Sequence, residues 1–273
     1  MSNDAPQKGE LVSTASGGLA RPEVESLIVR GLQDLTVAAQ AEQFFSWAVA
    51  NWNARRYESA VGLFSHCVKC DPHHAAAHFY LGVAYYQGIG VPQKDPAQAA
   101  NCWRKAAEQG YAQAQNNLAG LCEQAGSGEE YCEAAFWYAK AAEQGYVTAQ
   151  FNLGVLYELG RGVPQDYEQA AVWYRKAAEQ GNAAAQFNLG GMFRLGRGVR
   201  QNYAHAASWY RKAAEQGHAG AQYNLGAMCT LGHGMRRDFT EAAVWFRRAA
   251  AQGDELAQQA LESFPAGPKG RST

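Results

Sequence analysis

The segment His66-Cys67-Val68-Lys69-Cys70-Asp71-Pro72-His73-His74, with His78 just beyond, holds four of the seven histidines and two of the six cysteines of the chain. Cys-x-x-Cys followed by histidines offers the thiolate and imidazole ligands that suit zinc. Cys67, Cys70, His73 and His74 are therefore the candidate metal ligands. Two features oppose this chemistry. There is no second Cys-x-x-Cys pair to complete a familiar zinc pattern. Asp71-Pro72 also reads as a helix-ending turn, which puts Cys67 and Cys70 on apolar positions of the helix before it. Haem attachment needs a histidine directly after the second cysteine, and Asp71 stands there. The expectation is no bound metal and no cofactor, with a metal- or redox-responsive regulator built on Cys67 and Cys70 as an alternative.

The remaining candidates for chemistry are sparser. Cys102, Cys122, Cys132 and Cys229 are expected as free thiols, although Cys122 and Cys132 fall on the two helices of one unit and are close enough in register to approach. The chain has no Gly-x-Ser-x-Gly, phosphate loop or His-Glu-x-x-His. Gly-x-Gly recurs at Gly88/Gly90, Gly160/Gly162, Gly196/Gly198 and Gly232/Gly234, each time between two helical stretches and never after a strand pattern. These pairs read as loop hinges. His205, His218 and His233 are scattered and read as loop or surface residues. No nucleophile–base arrangement emerges, so the chain is not expected to be an enzyme.

The elements that would carry any site are set by a repeat. Ala-Glu-Gln-Gly occurs at Ala107–Gly110, Ala142–Gly145, Ala178–Gly181 and Ala214–Gly217, and a variant closes at Gly253. The glycines are 35, 36, 36 and 36 residues apart. Trp103, Trp137, Trp173, Trp209 and Trp245 precede them by seven or eight positions, and Asn-Leu-(Gly/Ala) recurs at Asn117, Asn152, Asn188 and Asn224. Such a period is the signature of a repeat array. In the unit Val147 to Asn182, Ala149, Leu153, Leu156 and Tyr157 share one helical face. Gly160-Arg161-Gly162-Val163-Pro164 then breaks the helix. Asp166 is placed to cap a second helix, whose inner side carries Ala170, Trp173, Tyr174, Ala177 and Ala178, and Gly181 suits its left-handed end. The Trp column reads as core packing.

The chain has 273 residues, a net charge of −1, 47% hydrophobic and 18% charged residues. This excludes a wholly disordered chain and gives no general field for nucleic acid or an anionic membrane. No stretch approaches the roughly 18 apolar residues of a membrane span. Residues 1 to 18 lack the apolar centre of a secretory signal, so a cytoplasmic protein is expected.

The unit resembles the Sel1-like repeat, a relative of the tetratricopeptide repeat. The resemblance lies in Leu153-Gly154, Tyr157, Gly160-Arg161-Gly162-Val163, Asp166, Ala170-Ala171, Trp173-Tyr174, Lys176-Ala177-Ala178 and Gly181, and it recurs in five units over residues 75–254. Residues 41–74 resemble one tetratricopeptide repeat through Trp47-Ala48, Tyr57, Ala60, Phe64 and Pro72, with Asn51 standing where an aromatic is usual. The domain plan is a disordered tail (1–21), an N-terminal capping helix (22–40), the tetratricopeptide-like repeat, the five Sel1-like repeats, a C-terminal capping helix (255–264) and a second tail (265–273). The implied fold is an all-α, right-handed α/α superhelical solenoid of helix-turn-helix repeats. The implied role is a scaffold or adaptor, often bacterial, that binds another protein. Cysteine-rich secreted Sel1-like proteins pair cysteines across repeat junctions. Here those junctions hold Ala107, Ala142 and Ala178, which opposes an analogy to a weak β-lactam-binding hydrolase. A translocated bacterial effector, with the polar first 20 residues as an export tag, is a further alternative.

Helical geometry then defines a candidate binding surface. With Leu153 and Tyr157 inward, Thr148, Phe151, Val155 and Glu158 are expected to point away from the partner helix. The matching residues are Phe79, Val83 and Tyr86; Asn116; Phe187 and Arg194; and Tyr223. With Asn117, Asn152, Asn188 and Asn224 they form the expected groove for a peptide or helix. Aromatics would supply buried area there and asparagines would supply donors and acceptors. The competing readings are that the aromatics pack on the next unit and that each Asn bonds to its neighbouring helix.

Overall fold

The structure, a computed structural model, describes residues 36–263. Among them are thirteen helices and no strand. They are α1 (Val37–Asn53), α2 (Tyr57–Cys70), α3 (Ala75–Gln87), α4 (Pro96–Glu108), α5 (Ala112–Ala125), α6 (Gly128–Glu143), α7 (Val147–Leu159), α8 (Tyr167–Glu179), α9 (Ala183–Leu195), α10 (Tyr203–Glu215), α11 (Ala219–Leu231), α12 (Phe239–Ala250) and α13 (Glu255–Glu262). Each helix packs on the next along the chain, giving helix pairs stacked as an α/α solenoid. The stops and starts are local. Asp166 Oδ1 accepts from the amides of Glu168 and Gln169 at the start of α8, as the sequence suggests. Gly160 ends α7 at φ +67°, a conformation that disfavours any residue with a Cβ.

Inside each unit a leucine of the first helix and an aromatic ring of the second form the contact that sets their spacing. Leu153 and Tyr174 are both buried. A Cβ on Gly154 would lie 2.7 Å from Tyr174 Cδ1, and one on Gly190 would lie 2.8 Å from Tyr210 Cδ1. Gly154 therefore makes room for a ring rather than for a helix axis. The ring column is Trp103, Tyr138, Tyr174, Tyr210 and Phe246, all buried. This corrects, in three of the five units, the expectation that the Trp column is the core. Trp103 stands in the ring column, seven residues before its glycine. The other four stand one residue earlier; Trp245 is buried there, while Trp137, Trp173 and Trp209 are half-buried. Lys176 Nζ lies 3.8 Å from the Trp173 ring centroid and Lys212 Nζ 4.2 Å from that of Trp209.

Two devices join one unit to the next. Gly162, Gly198 and Gly234 have positive φ, and a Cβ at any of them would overlap the backbone of Tyr131, Tyr167 or Tyr203 at the start of the preceding unit's second helix. The Gly-x-Gly loops are thus docking points between units rather than hinges. The second device is a column of buried glutamines. Gln115, Gln150, Gln186 and Gln222 donate from Nε2 to the carbonyls of Ala107, Ala142, Ala178 and Ala214 at 3.0–3.1 Å. Their Oε1 atoms accept from Gln144, Gln180, Gln216 and Gln252 at 2.8 Å. Each buried amide therefore bridges its own unit to the one before. In the first unit this position is His78, whose Nε2 donates to the Pro72 carbonyl at 2.9 Å, leaving Nδ1 buried without a partner.

At the N-terminal end α1 and α2 pack together, with Ala48, Ala60 and Phe64 buried. Asn51 donates to the Trp47 carbonyl, and the neighbouring Trp52 supplies the aromatic that Asn51 lacks, 6.1 Å from Phe64 and 5.5 Å from Tyr80. Helix α1 begins at Val37, so residues 37–40 belong to this helix and not to a separate cap. The rest of the expected N-terminal cap, and both tails, lie outside the described residues. At the other end α13 packs on α12 with Ala257 buried.

Three stability results are expected. Tyr174→Ala lowers stability by about 3–5 kcal/mol in urea unfolding, as for other buried aromatic truncations, whereas Trp173→Ala costs about 1–2 kcal/mol because that ring is half in water. Equal costs would show the Trp column to be core after all. Gln186→Leu strands the Ala178 carbonyl and the Gln216 amide and costs about 1–3 kcal/mol. A neutral result would mean the ladder adds no stability. Burial holds the His78 imidazole below its usual 6.5, with the Pro72 carbonyl opposing less strongly; burial does the same at His218. The unfolded chain then binds protons the folded chain does not, so stability falls as pH drops below about 6.5. His78→Gln, which restores the residue of the other units, shrinks that loss and leaves the share of His218; an unchanged pH profile contradicts this.

Candidate functional site

The candidate metal ligands do not converge. Cys67 is fully buried beside Phe64 in the N-terminal core, and burial raises its thiol to about 12. Cys70 packs at the margin of the same core. His66 is exposed and donates from Nδ1 to the Gly62 carbonyl. His73 is exposed. His74 caps α3, its Nδ1 accepting from the Ala77 amide at 3.1 Å, with Nε2 3.6 Å from Glu42 Oε1. Helix geometry explains the dispersal, because residues one and four apart on either side of a turn leave the chain in different directions. Among the described residues no group of three or more His, Cys, Asp and Glu side chains is arranged to hold a metal ion. All six cysteines are free thiols, with Cys122 buried and Cys132 exposed.

The first-helix face does assemble the other candidates. Phe79, Phe151, Phe187 and Tyr223 occupy the same place in α3, α7, α9 and α11 and are all half-buried. They are not turned away from the partner helix, as expected from the helical wheel. The Phe151 centroid is 5.8 Å from Tyr174, Phe187 is 5.7 Å from Tyr210, and Tyr223 is 5.7 Å from Phe246. Each of these three rings leans over the buried aromatic of its own unit. Phe79 and Phe187 also touch the residue that closes their unit and caps the next first helix, Tyr111 at 5.1 Å and His218 at 4.5 Å.

Below these rings the hydroxyls of the buried tyrosines form a polar floor. Tyr174 donates to Glu158 Oε2 at 2.6 Å and Tyr138 donates to Glu123 Oε2 at 3.1 Å, while Tyr210 accepts from Arg194 Nε at 3.4 Å. Asn152 and Asn188, one unit further on, act on the Tyr138 and Tyr174 phenols in the direction that lowers their pKa. Burial, with the Glu158 carboxylate in contact, outweighs this and pushes the Tyr174 phenol far above its ordinary value. Tyr138 and Tyr174 stay protonated and act as donors. Val155 is half-buried.

Where Asn116 interrupts the aromatic row, a cavity of about 280 Å³ opens between α3 and α5, lined by Val83, Tyr86, Gln87, Trp103, Asn116, Asn117, Gly120, Leu121, Gln124 and Tyr138. Asn116 and Gly120 are smaller than the Phe151 and Val155 of the third unit, and the missing volume is the cavity. Tyr86 donates to Gln124 Oε1 at 3.5 Å across its mouth. Asn116 Nδ2 donates to Asn117 Oδ1 at 3.4 Å, and Asn116 Oδ1 is buried without a partner.

Two sets of residues escaped the sequence reading. The glutamine columns repeat at the same period as the glycines, so their periodicity could have revealed them. Leu159, Leu195 and Leu231 are exposed at the ends of α7, α9 and α11. They lie eight residues past Phe151, Phe187 and Tyr223, and extending the i, i+4 stripe by one step would have found them.

The five units match the Sel1 repeat family at residues 75–111, 112–146, 147–182, 183–218 and 219–254. Among solved structures the chain is similar to c5321 of uropathogenic Escherichia coli, described as a protective antigen displaying an SLR fold, at 33% identity and a TM-score of 0.78 over 89% of this chain. It spans 51% of that protein. A Sel1 repeat protein from Oxalobacter formigenes is 32% identical with a TM-score of 0.72, over 79% of this chain and 88% of that one. PilF of Pseudomonas aeruginosa, at 17% identity and a TM-score of 0.60 over 81% and 96% of the two chains, shares the fold. No curated protein matches. No helix among the described residues is long and apolar enough to cross a membrane. The repeats, their order and their helical pairing agree with the residues that first suggested them, and the chain belongs to the Sel1 repeat family.

Proposed function

We propose that this protein is a non-enzymatic scaffold or adaptor that takes a peptide or helix of another protein along its first-helix face. Sel1 repeats are typically protein–protein interaction scaffolds, and a solenoid offers a long continuous surface for that purpose. The observation that carries the reading is the cavity between α3 and α5, where the amides of Asn116, Asn117 and Gln124 stand beside Tyr86 and Trp103. Amide side chains offer donors and acceptors to a peptide backbone, and the rings beside them offer apolar area. The half-buried rings of Phe151, Phe187 and Tyr223 continue the same stripe. They present aromatic area already fixed by the rings beneath, so little side-chain freedom is lost on binding.

The test is selection of linear peptides from a random display library against the full chain, followed by affinity measurement on variants. Phe151→Ala with Phe187→Ala is expected to weaken the selected peptides about tenfold or more, which is about 1.4 kcal/mol, with helicity by circular dichroism retained. Phe151→Leu with Phe187→Leu should keep much of the affinity. Selected peptides that bind the alanine pair as tightly as the parent would overturn the reading.

A further inference from the structure

Leu159, Leu195 and Leu231 end α7, α9 and α11 at 49%, 47% and 62% exposure. The same position holds Gln87 in α3 and Gln124 in α5, so the apolar column belongs to the last three repeats alone. At its C-terminal end Leu231 borders an apolar hollow of about 290 Å³, lined also by Ala227, Thr230, Phe239, Phe246 and Ala260. Leucines this exposed, repeated in register, are unusual on a surface that meets only water.

The loops that follow Leu195 and Leu231 are basic, with Arg197 and Arg200 in one and Arg236 and Arg237 beside Asp238 in the other, whereas the loop after Leu159 balances Arg161 with Asp166. All five arginines are exposed, and among the described residues none of them makes an ion pair. Arg161, Arg197 and Arg237 instead lie over the rings of Tyr131, Tyr167 and Phe239 at 5.5, 5.8 and 4.4 Å. Asp166 and Asp238 cap α8 and α12 and Glu158 accepts from Tyr174, so these carboxylates are held against their own helices but keep their charge. The excess of positive charge beside exposed leucine therefore lies at the last two loops, where four arginines stand with Asp238 as the one acid.

We propose that this edge docks an acidic amphipathic helix of a partner protein. Its apolar stripe meets the leucine column with one side chain in the hollow beside Leu231, and its flanking carboxylates meet the loop guanidiniums. An amphipathic helix carries a continuous apolar stripe with polar flanks, which matches a column of leucines bordered by guanidiniums. Charge complementarity selects an acidic sequence and makes binding salt-sensitive. The inference rests on the reading of the first-helix face as a protein-binding surface and adds the partner's chemistry.

The experiment selects from a display library of randomised helical peptides on the full chain and measures the winners by fluorescence anisotropy. Enriched peptides are expected to be acidic, with large apolar residues along one helical face. Leu195→Ser with Leu231→Ser, and separately Arg197→Glu with Arg236→Glu, should each weaken binding about tenfold or more, and added salt should weaken it in the parent. Basic winners, winners without an apolar helical face, or winners indifferent to both variants would overturn the proposal. So would a dimer in sedimentation that the leucine variant dissolves, or capture of phosphatidylserine vesicles or duplex DNA with no acidic peptide enriched. Extended peptides lost by Phe151→Ala with Phe187→Ala but retained by the leucine variant would leave the scaffold reading standing while this one falls.

Discussion

One aromatic ring pressed on one small residue per unit, glycine in four units and Ala119 in the second, sets the geometry of the solenoid. Tyr174 reaches the backbone of α7 because Gly154 has no Cβ, and Tyr210 and Phe246 do the same at Gly190 and Gly226. The contact brings the two helices of a unit close enough for alanines to fill what remains, as Ala149, Ala170, Ala177 and Ala178 do. An alanine-rich interior has little volume to rearrange, so the helix pairs stack in one way. A two-helix unit cannot bury both its faces alone, which is why the array and not the unit is the stable object.

Hydrophobic packing alone would tolerate small rotations between units, since it has little direction. The glutamine ladder supplies direction. Gln150 reaches the Ala142 carbonyl in the preceding unit and is itself held by Gln180 of its own. A rotation between units lengthens such bonds in a dry interior, where an unmade hydrogen bond is expensive. The loop glycines add a steric limit, because Gly162 is docked on the α6 backbone with no room for a side chain. Ring, ladder and loop act at three different places around each interface. Together they make the first-helix face a fixed surface on which side chains such as Phe151 and Phe187 keep a constant spacing.

Much of this was legible in the residues, because a repeat offers each structural requirement five times. Helix ends, the cap at Asp166, the glycine stops and the family all follow from recurrence. The Trp column misled because tryptophan is conspicuous. Trp173 and Tyr174 are adjacent, and a helical wheel separates them by about 100°, too little to say which of two aromatics turns inward. The decisive clue was Gly154, whose missing side chain fits a ring from one specific position. The metal candidates failed for a related reason. Nearness along the chain puts Cys67 in the core and His73 in water, since a helix and a turn disperse neighbouring side chains. The cavity beside Asn116 was visible only as an interruption of the aromatic row. Its volume depends on Gly120, four residues away and unremarkable by itself.

Positions that every unit shares build the scaffold, so selectivity resides in the positions where units differ. The first and second units replace leucine by Gln87 and Gln124 and aromatic and aliphatic bulk by Asn116 and Gly120, which makes a polar hollow. The third to fifth keep the leucine and add arginines in the loops. Glu123 and Glu158 accept from a tyrosine hydroxyl on the same face where Arg194 donates to one, so the sign of the charge changes along the array. A segment lying along this face thus passes from glutamine to leucine between the second and third units, and from glutamate to arginine between the third and fourth. Reversing the segment would place its charges against like charges and its apolar residues over glutamines. The scaffold is nearly periodic, yet its surface distinguishes the two directions of a bound chain, which a uniform array of identical units would do only through the backbone.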